Sequence, residues 1–239
     1  MTERECVLVF AGVDPSAGAG IAADVQAITA VGAHPLAVVT ALTVQDHNRV
    51  YEVVPVAPEL VLRQARALAT ACRIRAVKIG IPGSADNAHT IAQVVAELRA
   101  VDPVLPVVLD PVLASGHGDR LGRGDAVAAL APLLALASVV TPNGPEAAAL
   151  GLLESGRALI TGGHDDGDEV VNRWRECSWT WPRLPGRFHG SGCTLAAALA
   201  GLLAQGWPTS EALERAQAYT HATLVAAYQI GPGQRIPLR

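Results

Sequence analysis

Glycine-rich junctions carry most of the residues in this chain whose types and spacing could do chemistry. The run His189-Gly190-Ser191-Gly192-Cys193-Thr194, followed by the apolar stretch Leu195–Leu203, has the form of a turn that opens a helix. Gly190 and Gly192 let the backbone approach a ligand closely. The helix start aims free N–H groups and a partial positive charge at whatever lies there. Phosphoryl transfer is catalysed mostly by positioning and by stabilising charge, so such a turn suits a transferring phosphate. A thiol at a helix N-terminus is expected to have a lowered pKa, which makes Cys193 a candidate acid, base or polar contact. An ordinary glycine-rich helix start with a buried cysteine has the same spacing.

Other junctions have related character. Gly12-Val13-Asp14-Pro15-Ser16-Ala17-Gly18-Ala19-Gly20 is not a Walker A loop, because no Lys-Ser/Thr follows its last glycine. Gly18 and Gly20 with Ala23 make only a weak dinucleotide fingerprint, and the second strand ends Val38-Val39-Thr40-Ala41 with no acidic residue. Asp24, just inside the following helix, either reaches the same cleft or is an exposed helix residue. In Thr141-Pro142-Asn143-Gly144-Pro145-Glu146, Asn143 and Glu146 form a capping-box pair, or Glu146 positions Mg²⁺ or its waters. Asp110-Pro111 ends a strand on a second charge. Thr161-Gly162-Gly163-His164 is a loop that a phosphate can approach, or merely a turn. Lys78 is expected to point away from the cleft or snorkel, and takes no assigned role.

The elements that must position these residues alternate between β-rich and Ala-rich runs, the pattern of βαβ units around a mainly parallel sheet. Strands are predicted at Val7–Ala11, Pro35–Ala41, Val50–Val54, Ala76–Ile79, Pro106–Asp110, Ser138–Thr141 and Ala158–Thr161. Helices are predicted at Ala19–Val31, Pro58–Ala71, Asp86–Val101, Gly124–Leu136, Pro145–Leu153, Cys193–Gln205 and Ser210–Tyr228. Residues 165–188 read as antiparallel pieces. Polar or glycine residues follow the strands repeatedly, at Asp14, Gln45, Gly80, Asp110, Asn143 and Gly162-Gly163. Open α/β sheets bind ligands beyond the carboxyl ends of their strands, so this recurrence predicts one cleft lined from many loops.

The 239 residues, half of them hydrophobic, suffice for one large domain with a substantial core. Mean hydropathy is +0.30, yet no apolar run approaches the roughly 20 residues of a membrane span. The N-terminal run goes straight into a strand without the layout of a signal peptide, so no membrane and a cytoplasmic location are expected. A net charge of −4 without a basic block argues against nucleic acid as a partner. The scattered cysteines Cys6, Cys72, Cys177 and Cys193 have no disulfide or zinc spacing and read as thiols.

Taken in order, the segments resemble the ribokinase superfamily and, within it, the hydroxymethylpyrimidine/phosphomethylpyrimidine kinases of thiamine biosynthesis. The matching pieces are residues 11–24, Thr40-Ala41-Leu42-Thr43-Val44-Gln45, Lys78-Ile79-Gly80, Asp110-Pro111-Val112, 141–147, Thr161-Gly162-Gly163-His164 and Gly190-Ser191-Gly192-Cys193-Thr194. The resemblance implies a three-layer α/β/α, ribokinase-like fold with a mainly parallel central sheet, residues 1–239 forming one kinase domain. It implies transfer of the ATP γ-phosphoryl group, with Mg²⁺, to 4-amino-5-hydroxymethyl-2-methylpyrimidine and then to its monophosphate.

By position, the resemblance sets Gln45 against the pyrimidine, with Asp24, Gly12 and Ala19 around the ring and Val112 and Ile81 as apolar walls. An amide such as Gln45 can both donate and accept, as an aminopyrimidine edge requires. Gly190, Ser191 and Gly192 become the anion hole, and Cys193 stands where related sugar kinases carry an aspartate base. Asp110, Asn143, Glu146, Thr161 and Gly163 face the nucleotide phosphates, with Asp110 and Glu146 toward Mg²⁺. A homodimer is the expected assembly. The chain departs from the family pattern in three places: no lysine follows in Val112–Gly118, Ile81 replaces the usual methionine, and the stretch from Leu150 to Ala158 is about one helix short. The alternatives are a pyridoxal kinase, which shares the fold, and a non-catalytic pyrimidine-binding relative.

Overall fold

Along β1 (Cys6–Val13) the side chains sort by alternation. Val7, Val9 and Ala11 enter one core while Leu8 and Phe10 enter another. Successive strand residues point to opposite faces, so a strand covered on both sides must be apolar throughout. The computed structural model describes residues 3–113 and 126–239.

The sheet continues through β2 (His34–Gln45), β3 (Val50–Pro55), β4 (Ile74–Ile79), β5 (Val107–Leu109) and β6 (Val139–Val140). Its order is β3-β2-β1-β4-β5-β6, and only β3 runs antiparallel, as a hairpin partner of β2. One face is covered by α1 (Gly20–Ala30), α6 (Ser191–Ala204) and α7 (Thr209–Val225). The other is covered by α2 (Pro58–Ala71), α3 (Ala85–Val101), α4 (Ala126–Leu136) and α5 (Gly144–Ala149). This is the three-layer, mainly parallel architecture expected. Every residue of α6 from Thr194 to Ala204 is buried, which explains a helix that is apolar all round without being a membrane span. Among the described residues, no helix is long and apolar enough to cross a membrane.

Local signals account for the sharpest boundaries. Pro58 opens α2 at a position where its missing N–H costs nothing, with Glu59 in the positive first turn. Ser84 caps α3 by accepting from the Asn87 amide.

Several boundaries differ from the sequence reading. β2 runs on to Gln45, which pairs with Val50 across an irregularity at Val44. The predicted strand at Ala158–Thr161 is reduced to isolated bridges, Val140 to Ala158 and Asn143 to Thr161 on one side and Ile160 to Arg173 on the other. These bridges tie the main sheet to a separate hairpin, β7 (Glu169–Trp174) with β8 (Cys177–Pro182). The helix predicted to Leu153 stops at Ala149, and Gly151 takes a left-handed φ of +66° just beyond it. Turns alone fill the shortened stretch before Ala158. The missing lysine of the 112–118 run, and the predicted helix start at Gly124, fall largely on residues 114–125, outside the described residues.

Candidate active site

From β1 the chain winds outward to β2 on one side, then returns to lay β4, β5 and β6 on the other. The carboxyl ends of β1 and β4 therefore flank a topological switch point, where an open α/β sheet leaves a crevice. A cleft of about 970 Å³ lies there.

One end of it is lined by Gly12, Ala19, Gln45, Ile81 and Val112. A Cβ on Gly12 would sit 2.8 Å from Ile81 Cδ1, so a larger residue there would have to displace the Ile81 side chain. The Gln45 carboxamide makes no hydrogen bond among the described residues. Asp110, Asn143, Glu146, Thr161 and Gly163 line the other reach of the same cleft, and Gly190, Ser191, Gly192 and Cys193 lie along it. The structure thus brings together every candidate residue except Asp24.

Asp24 is a correction. It does not line the cleft; its side chain is wholly buried and pairs with Lys78, Oδ2 to Nζ at 2.8 Å. Lys78, expected to turn away, is the residue that lines the cleft, beside Asp110 and Cys193. Burial pushes the Asp24 carboxyl up to about 6 against the pull of Lys78. Burial works to lower the Lys78 ammonium, but the charges of Asp24, Cys193 and Asp110 outweigh it and hold Lys78 above its usual value. At neutral pH both groups are ionised.

Cys193 is the second correction. Burial pushes its thiol up to about 12, the Asp110 and Asp24 carboxylates adding to the rise while Lys78 and a hydrogen bond with the Gly20 backbone oppose it. The helix start alone argued for a lowered pKa; desolvation of the partly buried thiol, with carboxylates beside it, outweighs that pull. Asp110 is itself raised by burial, against Lys78 and a hydrogen bond from Cys193, and its Oδ2 has no partner.

The capping-box reading of the Asn143–Glu146 segment holds, and Glu146 also borders the cleft. Asn143 Oδ1 accepts from the Glu146 amide at 2.9 Å, and Glu146 returns the bond to the Asn143 amide at 3.0 Å, completing a capping box. The Glu146 carboxylate also accepts from the Leu113 amide at 3.3 Å and still borders the cleft. Burial pushes it up to about 7, with the charge of Asp110 adding to the rise.

Contacts invisible in the sequence brace the glycine turn. Asp14 Oδ2 accepts from Ser16 Oγ at 2.9 Å and the Ala19 amide at 2.8 Å, and lies 2.7 Å from His189 Nε2. The local half is a recognisable Asp-Pro-Ser turn; the His189 half spans 175 residues of sequence. Arg239 donates to Thr194 Oγ1 at 2.8 Å, to the Gly18 carbonyl at 2.6 Å and to the Gly190 carbonyl at 3.3 Å. Gly190 itself has φ +81°, and a Cβ there would collide with the Gly18 carbonyl. Only glycine fits that position.

Oxygen ligands suit a hard divalent cation, and Asp110 and Glu146 present them at one reach of the cleft. Among the described residues no group of three or more His, Cys, Asp or Glu side chains gathers for a metal. Two carboxylates and the buried, unpartnered Asp110 Oδ2 fit an ion that keeps several waters and takes other ligands from phosphates.

A switch-point crevice with free amides at a helix start and carboxylates nearby defines a small-molecule phosphotransferase of the ribokinase-like class. The profile of the family described as phosphomethylpyrimidine kinase matches residues 14–238, and the chain belongs to that family. A hydroxymethylpyrimidine/phosphomethylpyrimidine kinase from Rhizobium meliloti (strain 1021) is 39% identical, over 95% of this chain and 93% of the relative. Among solved structures, the pyridoxal kinase from Staphylococcus aureus in complex with ADP superposes with a TM-score of 0.84 at 25% identity, covering 99% of this chain and 94% of that one. The phosphomethylpyrimidine kinase from Clostridium difficile 630 gives 0.75 at 28% identity, covering 91% of this chain and 98% of that one.

Proposed function

We propose that this chain transfers the γ-phosphoryl group of ATP to the hydroxymethyl group of 4-amino-5-hydroxymethyl-2-methylpyrimidine, and then phosphorylates the monophosphate. The observation that carries the reading is the pairing, within one cleft, of an unpartnered Gln45 carboxamide with the Gly190–Cys193 helix start. Gln45 reads the aminopyrimidine edge, Ile81 and Val112 hold the ring, and Gly12 gives it room. The acceptor hydroxyl then faces the amides of the Gly190–Gly192 turn, which stabilise charge on the transferring phosphoryl group. Cys193 is protonated at neutral pH and acts first as a hydrogen-bonding contact to the hydroxyl. In a loose transition state little bond-making precedes charge development, so positioning and electrostatics carry most of the rate.

Asp110, Asn143, Glu146, Thr161 and Gly163 border the nucleotide phosphates in this reading. Mg²⁺ held between those phosphates and the Asp110 and Glu146 carboxylates would neutralise phosphate charge when bound. Lys78 and Asp24 set the potential beneath the turn without touching substrate.

The deciding experiment is product analysis after incubation with hydroxymethylpyrimidine, its monophosphate and Mg-ATP. Diphosphate formation is expected; faster phosphorylation of pyridoxal would instead favour the second reading, a pyridoxal kinase. The superposition on the Staphylococcus aureus enzyme favours that reading. Tight pyrimidine binding with neither turnover nor ATP binding would mark a non-catalytic relative. We further place the protein in the cytoplasm as a homodimer. Leu42 and Val44 of β2 and Val54 of β3 leave an exposed apolar strip at the sheet edge, which supports pairing. Light scattering on a sizing column tests it.

A further inference from the structure

We infer that Arg183 is a positioning residue for the nucleotide: its guanidinium shapes the Gly162–Glu169 loop so that the loop presents two backbone amides to a phosphate. The inference rests on the reading of that reach of the cleft as the nucleotide side. Arg183 stands just after β8, and its fork reaches five backbone carbonyls. Nε donates to Gly167 at 2.6 Å, Nη1 to Gly163 at 3.0 Å, and Nη2 to Gly162, Asp165 and Glu169 at 3.3, 2.6 and 3.2 Å. A planar fork of N–H donors can gather carbonyls from several directions at once, which the single point of a lysine ammonium cannot.

The consequence follows from peptide geometry. No peptide bond among the described residues is cis. In a trans peptide the C=O and the N–H of the next residue point in opposite directions. Turning the Gly162 and Gly163 carbonyls onto Arg183 therefore turns the Gly163 and His164 N–H groups away from it. Those two amides make no hydrogen bond among the described residues, and both residues line the cleft. A Cβ on Gly163 would meet nothing within 4 Å, so the space beside it is open. From the other side the loop is tethered through the Gly162 amide, which donates to Asn172 Oδ1 at 3.1 Å, and Asn172 in turn donates to Gln217 of α7 at 2.8 Å. Successive free amides held in one orientation are a phosphate cradle. The hairpin that leads into Arg183 thus braces the loop from the side of β8.

The test is steady-state kinetics on two variants of the full chain, with ATP and the pyrimidine varied separately. Arg183→Lys keeps the charge but not the fork; it is expected to raise KM for ATP about tenfold while KM for the pyrimidine stays within about twofold. A KM for ATP within about twofold of wild type, or an equal rise in both KM values, overturns the positioning role. Should the lysine variant not fold, Arg183→Gln, whose amide N–H groups reach only as far as Nε and lose the outer fork, is measured against the same criteria. Gly163→Val fills the open space beside the loop and separates the two ideas. If it leaves KM for ATP unchanged, the nucleotide does not lie there and the site reading fails. If it raises KM for ATP while the Arg183 variants do not, only the role of Arg183 fails.

Discussion

Lys78 of β4 and Asp24 of α1 form an ion pair with both side chains fully withdrawn from solvent, 2.8 Å apart beneath the cleft. Asp110 lies close enough to act on both. The Asp24 carboxylate answers the Lys78 ammonium, while burial pushes the neighbouring Asp110 carboxyl upward, toward its protonated form. The pair is also a constraint on the fold, because it pins the first helix to the central strand.

Breaking the pair leaves one charge buried alone. Lys78→Met is expected to destabilise the protein by about 3–5 kcal/mol, measured by urea unfolding, and Asp24→Leu in the same chain should recover part of the loss. Lys78 is held above its ordinary 10.5, so its contribution is fully present below 10.5 and is lost as pH rises through the higher folded value. Wild type should therefore lose stability in that alkaline window, and the Lys78→Met variant should not show that loss.

Cys193 is protonated in the resting enzyme, so alkylation at neutral pH should label exposed Cys177 well before Cys193. Peptide mass mapping after brief iodoacetamide treatment reads the order directly. Cys193→Ala should lower kcat much more than it raises KM for the pyrimidine. Turnover within about twofold of wild type would show that the backbone turn carries the rate without the thiol.

Glu146 sets a pH limb. Its carboxyl is raised from the ordinary 4.5 to about 7, so the folded protein binds that proton more tightly than the unfolded chain. Its effect on stability is favourable at low pH and is lost as pH rises from 4.5 through about 7. Function runs the opposite way, since only the carboxylate can serve Mg²⁺. kcat/KM for Mg-ATP should fall as pH drops below about 7, and Glu146→Gln should abolish that limb along with most of the activity.

Gln45 governs the acceptor. Gln45→Leu keeps the bulk and removes both hydrogen-bonding groups, so KM for the pyrimidine should rise about tenfold or more while KM for ATP is unchanged. Competition between hydroxymethylpyrimidine and pyridoxal, followed by product ratio, measures how much of the discrimination is lost.

Signals within a few residues carried much of the reading by themselves. Pro58 with Glu59 marked α2 to the residue, because the cap chemistry of a helix is local. The glycine turn before Cys193 was legible for the same reason, and so was the capping box of Asn143 and Glu146. The order of junctions along the chain was enough to expect one cleft, since parallel strands send their carboxyl ends to a common side.

Only the tertiary structure decided what happens inside that cleft. A strand buried on both faces gives no alternation to orient Lys78, and its partner Asp24 lies 54 residues away in sequence. The Cys193 thiol followed desolvation rather than its helix start, a balance set by Lys78, Asp110 and Asp24 from three other segments. Arg239 at the Gly190 turn and Arg183 at the Gly162 loop carry no motif at all, because a guanidinium gathers backbone carbonyls, which every residue possesses. Residue type and spacing determined the kind of chemistry and where along the chain it falls. Burial and long-range pairing, which depend on what packs against each group, determined the charge, the orientation and the supporting residues.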